Sequence, residues 1–372
     1  MRRVLPVLLT IIMLLQWTPC RAEVEFTVAA KAAVLIEAES GRVLFAQNAN
    51  EMLPMASTTK IMTCLVALEN SKLDEKVTAG PNAHGVTGTS IYLSEGETLT
   101  MEQMLYGLML RSGNDASVAI AEHVAGSVDE FVDMMNARAK ELGADANFVN
   151  PHGLTAEGHK ASALGMALIM RECLKNEDFA RISATKEKVI PWEGNEYSRF
   201  LQNKNRLLTS YEGATGGKTG YTSAAGRCLV FSARRDDMTL IGCVLNCSTW
   251  FDTAEAMLDY GFENYAMLTA HKEGEAAGKI TVTGGRKRSA GLQFGRDMRF
   301  PVKPDEKYEI IIDVPDSVAA PVAAGNRAGR AVARSDGVVF CLTPLVYSDS
   351  VYKSGMEAAL GQVIDGWLLI MR

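Results

Sequence analysis

The first patterned segment of the chain combines two short strands with a buried helix. Apolar runs at residues 33–37 and 43–46 flank the turn residues 40–42, which predicts a β-hairpin. Apolar positions then recur at helical spacing over residues 61–68, which predicts a helix buried in the core.

The middle of the chain is helical, with one interruption. Apolar positions at helical spacing follow Thr100, stop at the turn residues 111–115, and resume over residues 116–124. A further helix is predicted over residues 129–142. Polar residues between apolar helices are costly to bury without a purpose, so the interruption marks a candidate functional segment.

A second hairpin and a helix complete this first pattern. Apolar runs at residues 228–233 and 238–245 flank a tight turn at residues 235–237, and an amphipathic helix follows over residues 252–265. A hairpin, a helical middle, further strands and a helix predict an α+β domain, with one antiparallel sheet packed against helices.

The composition shifts near residue 270. Short β-prone runs alternate there with Gly, Asp and Pro turns, which predicts a small all-β domain. These runs are residues 279–282, 292–294, 299–302, 308–314 and 337–342. Apolar positions over residues 351–372 lie on one helical face, which predicts an amphipathic helix. Two roles stay open for it: membrane contact, or packing against the β domain.

The amino terminus predicts export. Two arginines precede an apolar run that ends near Trp17, and Ala22 closes a cleavage-type spacing. A retained anchor is the alternative, although the run is shorter than the roughly 20 residues that span a bilayer. The expected division is a signal peptide (1–22), an α+β domain (23–270), a β-rich domain (276–350) and the terminal helix (351–372).

Charge and cysteine content narrow the function. The chain of 372 residues has a net charge of −6 and no long basic run, which argues against a nucleic-acid partner. Six cysteines follow the predicted signal peptide, none in metal-ligand spacing, so we expect buried thiols and leave one disulfide open. No metal and no cofactor is expected.

Three short motifs carry the candidate chemistry. Ser57 and Lys60 lie one helical turn apart, as a nucleophile and its base would, although a helix cap beside a solvated lysine explains the pair equally. Ser112-Gly113-Asn114 and Lys218-Thr219-Gly220 follow in order along the chain. This ordered set is typical of penicillin-binding proteins and related β-lactamases.

The residues around these motifs extend the match to segments 91–97, 106–116, 150–154 and 217–222. Over residues 28–350 the chain resembles the D-alanyl-D-alanine carboxypeptidases, the low-molecular-mass penicillin-binding proteins. The resemblance implies a transpeptidase-like α+β domain followed by a small β domain. It also implies a peptidoglycan stem peptide as substrate, β-lactams as covalent inhibitors, and a location outside the cytoplasm, at the membrane's outer face or in the periplasm or cell wall.

The resemblance also implies roles for individual residues. Ser57 would form the acyl-enzyme, Lys60 would act as base once burial and Lys218 lower its pKa, and Ser112 would relay a proton. The implied substrate-binding residues are Asn114, Lys218, Thr219, Gly220 and Tyr221. The backbone N–H groups of Ser57 and Tyr221 would bind the oxyanion, while Gly217 and Gly220 would leave room for a substrate strand.

Two further residues qualify the resemblance. His152 is interpreted as a structural turn residue, because the implied mechanism needs no histidine base. Gly165 stands where the family usually carries an acidic residue, which puts a local contact in doubt. Two other functions stay open: a β-lactamase, although no Glu-containing loop of the class A kind is present, and a noncatalytic wall-binding protein.

Overall fold

The computed structural model describes residues 26–355. The predicted signal peptide (1–22) and residues 356–372 of the predicted terminal helix lie outside the described residues. The helices are α1 (Lys60–Asn70), α2 (Met101–Tyr106), α3 (Asn114–Ala125), α4 (Val128–Glu141), α5 (Ala163–Cys173), α6 (Glu177–Ala184), α7 (Leu207–Ser210) and α8 (Trp250–Asn264). The strands of the first part of the chain are β1 (Ala30–Glu37), β2 (Val43–Gln47), β3 (Lys76–Thr78), β4 (Thr98–Thr100), β5 (Ala146–Asn147), β6 (Lys160–Ala161), β7 (Glu187–Ile190), β8 (Arg199–Gln202), β9 (Ala214–Thr222), β10 (Gly226–Arg235) and β11 (Met238–Cys247). The remaining strands are β12 (Ala266–His271), β13 (Ala276–Thr283), β14 (Ser289–Phe294), β15 (Met298–Val302), β16 (Glu309–Asp313), β17 (Ser317–Ala319), β18 (Arg327–Ser335) and β19 (Val338–Tyr347).

A five-stranded antiparallel sheet organises the first part of the chain, in the order β2-β1-β11-β10-β9. Successive side chains of a strand point to opposite faces. In β1, Val34 and Ile36 therefore join the large core under α1 to α6, whereas Ala33 and Leu35 join the smaller core under α8. Because both faces are covered, the strands are apolar throughout.

Helix α1 is the central helix of the larger core. Its residues from Lys60 to Ala67 are buried on all sides, as expected for a helix that is apolar around its whole circumference. Helices α3, α4, α5 and α6 pack around it. Lys60 is thus a charged-type residue at the start of an otherwise apolar, enclosed helix.

Strand β9 forms one edge of the five-stranded sheet and carries the Lys218-Thr219-Gly220 motif. One side of β9 pairs with β10, and its other side runs past the turn that precedes α1. The sheet edge therefore brings two of the three sequence motifs together.

The last part of the described chain is a β module. Six strands form a sheet in the order β16-β18-β19-β14-β13-β17, and β12 pairs separately with β15. Two small apolar clusters, one with Ile280 and Leu292 and one with Phe300 and Leu345, form its core. An α+β fold followed by an all-β part was predicted, and that prediction is confirmed.

The predicted terminal helix does not begin at residue 351. Val351 is buried and bridges to Val322, and Lys353 bridges to Gly285, so residues 351–355 extend the β module instead. Across residues 26–355, no helix combines the length and apolarity needed to cross a membrane. In the same range the six cysteines are buried free thiols, as expected.

Candidate active site

A tight turn presents Ser57 at the entrance to α1. Residues Ala56–Thr59 form one turn of 3-10 helix, and the hydroxyl of Thr59 donates to the carbonyl of Ala56 over 2.8 Å. Ala56 has a φ of 49°, in the left-handed region that alanine seldom adopts. Ser57 is half-buried, whereas Lys60 is fully enclosed.

The amine of Lys60 has three neighbours, and they determine which way its lone pair points. Its Nζ lies 2.7 Å from Asn114 Oδ1, 2.6 Å from the carbonyl oxygen of His152 and 3.2 Å from Ser57 Oγ. The first two oxygens can only accept, so they take the two N–H groups of a neutral amine. The lone pair then faces the Ser57 hydroxyl, the one neighbour that can donate.

Asn114 owes its orientation to the segment that passes over it. Its Nδ2 donates to the carbonyl of Thr87 over 2.7 Å, which leaves Oδ1 directed at Lys60. Its backbone N–H donates to the carbonyl of Thr89. The side-chain amide is thereby fixed as an acceptor for the lysine.

Ser112 lies in the helix interruption that the sequence predicts. Residues Gly107–Arg111 form a π-helical turn, and Ser112 follows with a φ of 66° before α3 begins at Asn114. Its hydroxyl is buried and has no hydrogen-bond partner among residues 26–355. A buried polar group that is left unpaired costs free energy, so this hydroxyl is available to a ligand.

Lys218 supplies a second buried amine. Its Nζ donates to the carbonyl of Thr219 over 3.0 Å. Burial, together with the charge of Lys204, lowers the pKa of Lys218 to about 7. Burial lowers the pKa of Lys60 well below its usual value, and the charges of Lys218 and Lys204 add to this effect. A neutral, proton-accepting Lys60 is therefore accessible near neutral pH.

Gly217 and Gly220 are needed for a reason other than the expected one. A Cβ at Gly220 would lie 2.9 Å from the backbone N of Ser57, and one at Gly217 would lie 2.2 Å from the carbonyl of Val230. The glycines let β9 approach its own neighbours, rather than leaving space for a substrate strand. Tyr221, the next residue, is exposed.

The loop 150–153 supports the site through its backbone. Its His152 carbonyl accepts from Lys60, and its Pro151 carbonyl accepts from Thr63. The ring of His152 accepts from the backbone N–H of Leu154, and burial lowers its pKa to about 4. This geometry agrees with the turn role predicted for His152.

Sequence reasoning missed the clamp on residues 90–93, beside the Asn114 segment. Asp115 accepts from the backbone N–H groups of Ile91 and Leu93, while Arg199 donates to the carbonyls of Ile91 and Tyr92. Arg199 also forms a buried ion pair with Glu97. A single arginine more than 100 positions away carries no sequence signal for this role.

Two remaining expectations concern Gly165 and metals. A Cβ at Gly165 would lie 2.6 Å from the carbonyl of Asp145, so no side chain fits there without a backbone shift. Across the described residues, no group of three or more His, Cys, Asp or Glu side chains is arranged to hold a metal ion.

Comparison with known proteins identifies the family. A family model described as D-alanyl-D-alanine carboxypeptidase matches residues 19–249, and a model of the penicillin-binding protein 5 C-terminal domain matches residues 265–353. The chain belongs to the D-alanyl-D-alanine carboxypeptidase family. The family predicted from the three motifs is therefore confirmed, and the protein is a serine-type carboxypeptidase, a hydrolase.

Individual relatives match this carboxypeptidase over almost its whole length. It is 36% identical to D-alanyl-D-alanine carboxypeptidase DacF of Bacillus subtilis, covering 99% of both chains. It is 32% identical to DacC of Escherichia coli, covering 91% of this chain and 88% of that one. The structure of penicillin-binding protein 5 from Haemophilus influenzae superposes with a TM-score of 0.76 at 27% identity, covering 88% of this chain and 99% of that one.

Proposed function

We propose that the protein removes the terminal D-alanine from peptidoglycan stem peptides through an acyl-enzyme on Ser57. The observation that carries the proposal is the arrangement around Lys60, whose two carbonyl acceptors leave the lone pair facing Ser57 Oγ at 3.2 Å. A base within hydrogen-bond reach of the nucleophile is what covalent catalysis requires.

Acylation forms one bond and breaks another. Ser57 Oγ attacks the carbonyl carbon of the scissile amide while its proton passes to Lys60 Nζ. The backbone N–H groups of Ser57 and Tyr221 stabilise the resulting oxyanion. Each such donor typically contributes roughly 3 kcal/mol to the transition state.

Collapse of the tetrahedral intermediate releases D-alanine. The C–N bond breaks, and the leaving nitrogen receives the proton held by Lys60, relayed through the unpaired hydroxyl of Ser112. Water then attacks the ester, gives a proton to Lys60, and returns Ser57 to its starting state. No group outside the named motifs is needed for proton balance.

Lys218 and Thr219 account for the preference for a chain terminus. A terminal carboxylate beside the buried Lys218 supplies the negative charge that this amine lacks in the described residues, and the Thr219 hydroxyl adds a donor. The approach of this carboxylate raises the pKa of Lys218, so binding protonates it. An internal peptide bond offers no such charge. Asn114 and the β9 residues Gly220 and Tyr221 bind the substrate backbone.

Covalent binding of β-lactams follows from the same site. The strained lactam amide presents a carbonyl to Ser57 and a carboxylate to Lys218, as the natural substrate does. The ester it forms retains its leaving group, which slows hydrolysis.

Export and domain division complete the proposal. Residues 1–22 act as a signal peptide, and the enzyme works outside the cytoplasm, at the outer face of the membrane or in the periplasm or wall. A segment within 356–372 contacts the membrane peripherally. The catalytic domain ends near residue 270, and the β-rich domain positions it.

One assay tests the catalytic proposal. The purified chain is incubated with a fluorescent penicillin and, separately, with a peptide ending in D-alanyl-D-alanine. Stable labelling and D-alanine release, both lost in Ser57→Ala, are expected. Rapid turnover of penicillin would favour the β-lactamase alternative, and labelling that survives Ser57→Ala would overturn the assignment of Ser57.

Cell fractionation tests the location. Full-length protein is expected in the membrane fraction outside the cytoplasm, and truncation after Gly355 is expected to release it. Truncation after residue 350 is the wrong comparison, because it removes the buried Val351 and weakens the β module. Unchanged fractionation of the shorter protein would contradict the membrane role.

A further inference from the structure

His159 is buried between two segments that reach the reacting groups. Its Nδ1 lies 2.9 Å from the backbone N of Val149, and its Nε2 lies 2.8 Å from Thr59 Oγ1. Only 3% of the residue is exposed. The ring therefore joins the start of the 149–153 loop to the turn that carries Ser57.

The two partners determine the tautomer of the ring. The backbone N–H of Val149 can only donate, so Nδ1 must be the unprotonated acceptor. A neutral ring then carries its proton on Nε2 and donates to Thr59 Oγ1. The Thr59 hydroxyl donates onward to the carbonyl of Ala56 over 2.8 Å. Burial and the charge of Lys60 lower the pKa of His159 to about 4, which keeps this ring neutral at neutral pH.

The end of this chain of hydrogen bonds lies next to the nucleophile. The carbonyl of Ala56 and the N–H of Ser57 belong to one planar peptide group, so fixing the direction of the carbonyl also fixes the direction of the N–H. Ala56 needs such support, because its φ of 49° is unfavourable for alanine. Gly153 packs against the same carbonyl, where a Cβ would lie 2.0 Å from the oxygen.

The second arm of His159 reaches the base. Val149 begins the loop whose His152 carbonyl accepts from Lys60 Nζ over 2.6 Å and whose Pro151 carbonyl accepts from Thr63 over 2.6 Å. Displacement of this loop would remove one of the two carbonyl acceptors that orient the amine.

We propose that His159 is a positioning residue that holds the Ala56–Ser57 peptide, through Thr59, in the orientation that directs the Ser57 N–H at the developing oxyanion. The proposal rests on the proposed function, because it assigns a geometry to the same acylation step. His159 itself touches neither substrate nor Ser57.

Substitutions at both ends of the link test the proposal. His159→Phe keeps a ring of similar size but neither hydrogen bond, whereas His159→Gln offers an oxygen that can accept from Val149 and an amide N–H that can donate to Thr59. Thr59→Val removes the intermediate hydroxyl at nearly constant volume. His123→Gln on α3, a partly exposed histidine outside the link, is the matched control.

The measured quantities are the acylation rate constant at saturating fluorescent penicillin and the penicillin concentration that gives half of that rate. His159→Phe is expected to lower the rate constant roughly tenfold, a fraction of what losing an oxyanion donor outright costs, with little change in half-saturation. His159→Gln should recover most of the rate, and His123→Gln should match the wild type. The double variant His159→Phe with Thr59→Val should be no slower than the slower single variant, because both changes break one link.

The opposite results overturn the proposal: a wild-type rate in His159→Phe, equal losses in Phe and Gln variants, or additive losses in the double variant. If His159→Phe does not fold, Thr59→Val and ¹⁵N NMR of the wild-type histidines decide. An Nε2–H ring for His159 at pH 7 supports the proposal, and an Nδ1–H or doubly protonated ring overturns it. Absence of penicillin labelling in the wild type would refute the proposed function instead, and the NMR result would still report on the link.

Discussion

At the scale of single residues, the site depends on two lysines buried without a carboxylate partner in the described part of the chain. Lys60 and Lys218 are both enclosed, and each donates only to neutral oxygens. Burial of an uncompensated ammonium is costly, and the protein meets this cost by lowering both pKa values. The same cost prepares Lys60 to accept a proton and Lys218 to bind an anion.

Replacing Lys218 with Met should therefore stabilise the fold while it weakens substrate recognition. The unfolded chain keeps the Lys218 proton up to about its ordinary pKa of 10.5, whereas the folded chain loses it near pH 7. Between these values the unfolded state binds more protons, so wild-type stability rises with pH. We expect Lys218→Met to raise the free energy of unfolding by about 1–4 kcal/mol at pH 6 and by less at pH 9.

Urea unfolding at the two pH values measures this difference. Lys279→Met, at an exposed position of β13, is the matched control and should change stability by less than about 0.5 kcal/mol at either pH. A gain from Lys218→Met that is equal at both pH values would show that burial of its charge is not the cause.

A second residue-scale prediction concerns Asn114. Asn114→Asp places a negative charge 2.7 Å from Lys60 Nζ and removes the donor to the Thr87 carbonyl. The charge favours the ammonium and raises the pKa of Lys60, so the base form appears only at higher pH. We expect penicillin acylation at pH 7 to fall by about 10²–10⁴, the range of a general base, and to recover partly as pH rises.

The measurement is the pH profile of the acylation rate constant for the wild type, Asn114→Asp and Asn114→Ala. The alanine variant loses the same contacts without adding a charge, so its profile should keep a midpoint nearer to that of the wild type. Identical midpoints for Asp and Ala variants would contradict the charge argument.

At the scale of elements, a short segment is held from both sides. Residues 90–93 give their N–H groups to Asp115 and two of their carbonyls to Arg199, which lies on strand β8 of the β7–β8 hairpin. Arg199 and Glu97 form a buried bidentate pair at 2.5 and 2.7 Å. The helix interruption at Ser112 is thus braced by a hairpin distant in sequence.

Breaking this pair should be more harmful than removing it. Arg199→Met leaves the Glu97 carboxylate buried without its partner and frees the carbonyls of Ile91 and Tyr92. We expect a loss of about 3–5 kcal/mol in the free energy of unfolding. The double variant Arg199→Met with Glu97→Met should lose less, because no charge remains buried, and a loss equal to the sum of both single variants would contradict this account.

The boundary of sequence prediction follows from the range of the contacts. Hairpins, the central helix and the ordered motifs depend on neighbouring residues, and the pattern predicted them. The link between His159 and Thr59 spans 100 positions, and the clamp of Arg199 on Ile91 spans 108, so no local pattern indicates either. The π-helical turn before Ser112 was predicted only as a break, because turn residues locate a break without giving its geometry. The missed strands β12 and β18 lack a period-2 apolar signal strong enough to stand out.

At the scale of the whole molecule, the β module is attached at the side of the sheet opposite the candidate site. Arg42, in the turn between β1 and β2, donates to the carbonyl of Pro301 and to Glu306, and lies over the ring of Phe340. Arg299 of β15 reaches Glu39 and Asp237 in two turns of the first sheet. Strand β9 lies at the other edge, four strand spacings or about 19 Å from β2.

This separation predicts that the module can be loosened without loss of chemistry. Arg42→Ala removes the ion pair, the bond to Pro301 and the contact with Phe340, so unfolding should separate into two transitions and proteolysis near residues 264–266 should accelerate. Penicillin acylation at Ser57 should stay within about twofold of the wild type, because no atom near Lys60 moves. Arg330→Ala, which removes an exposed ion pair within the module, is the matched control and should leave both quantities unchanged. A tenfold slower acylation in Arg42→Ala would show instead that the module and the catalytic site are mechanically coupled through the sheet.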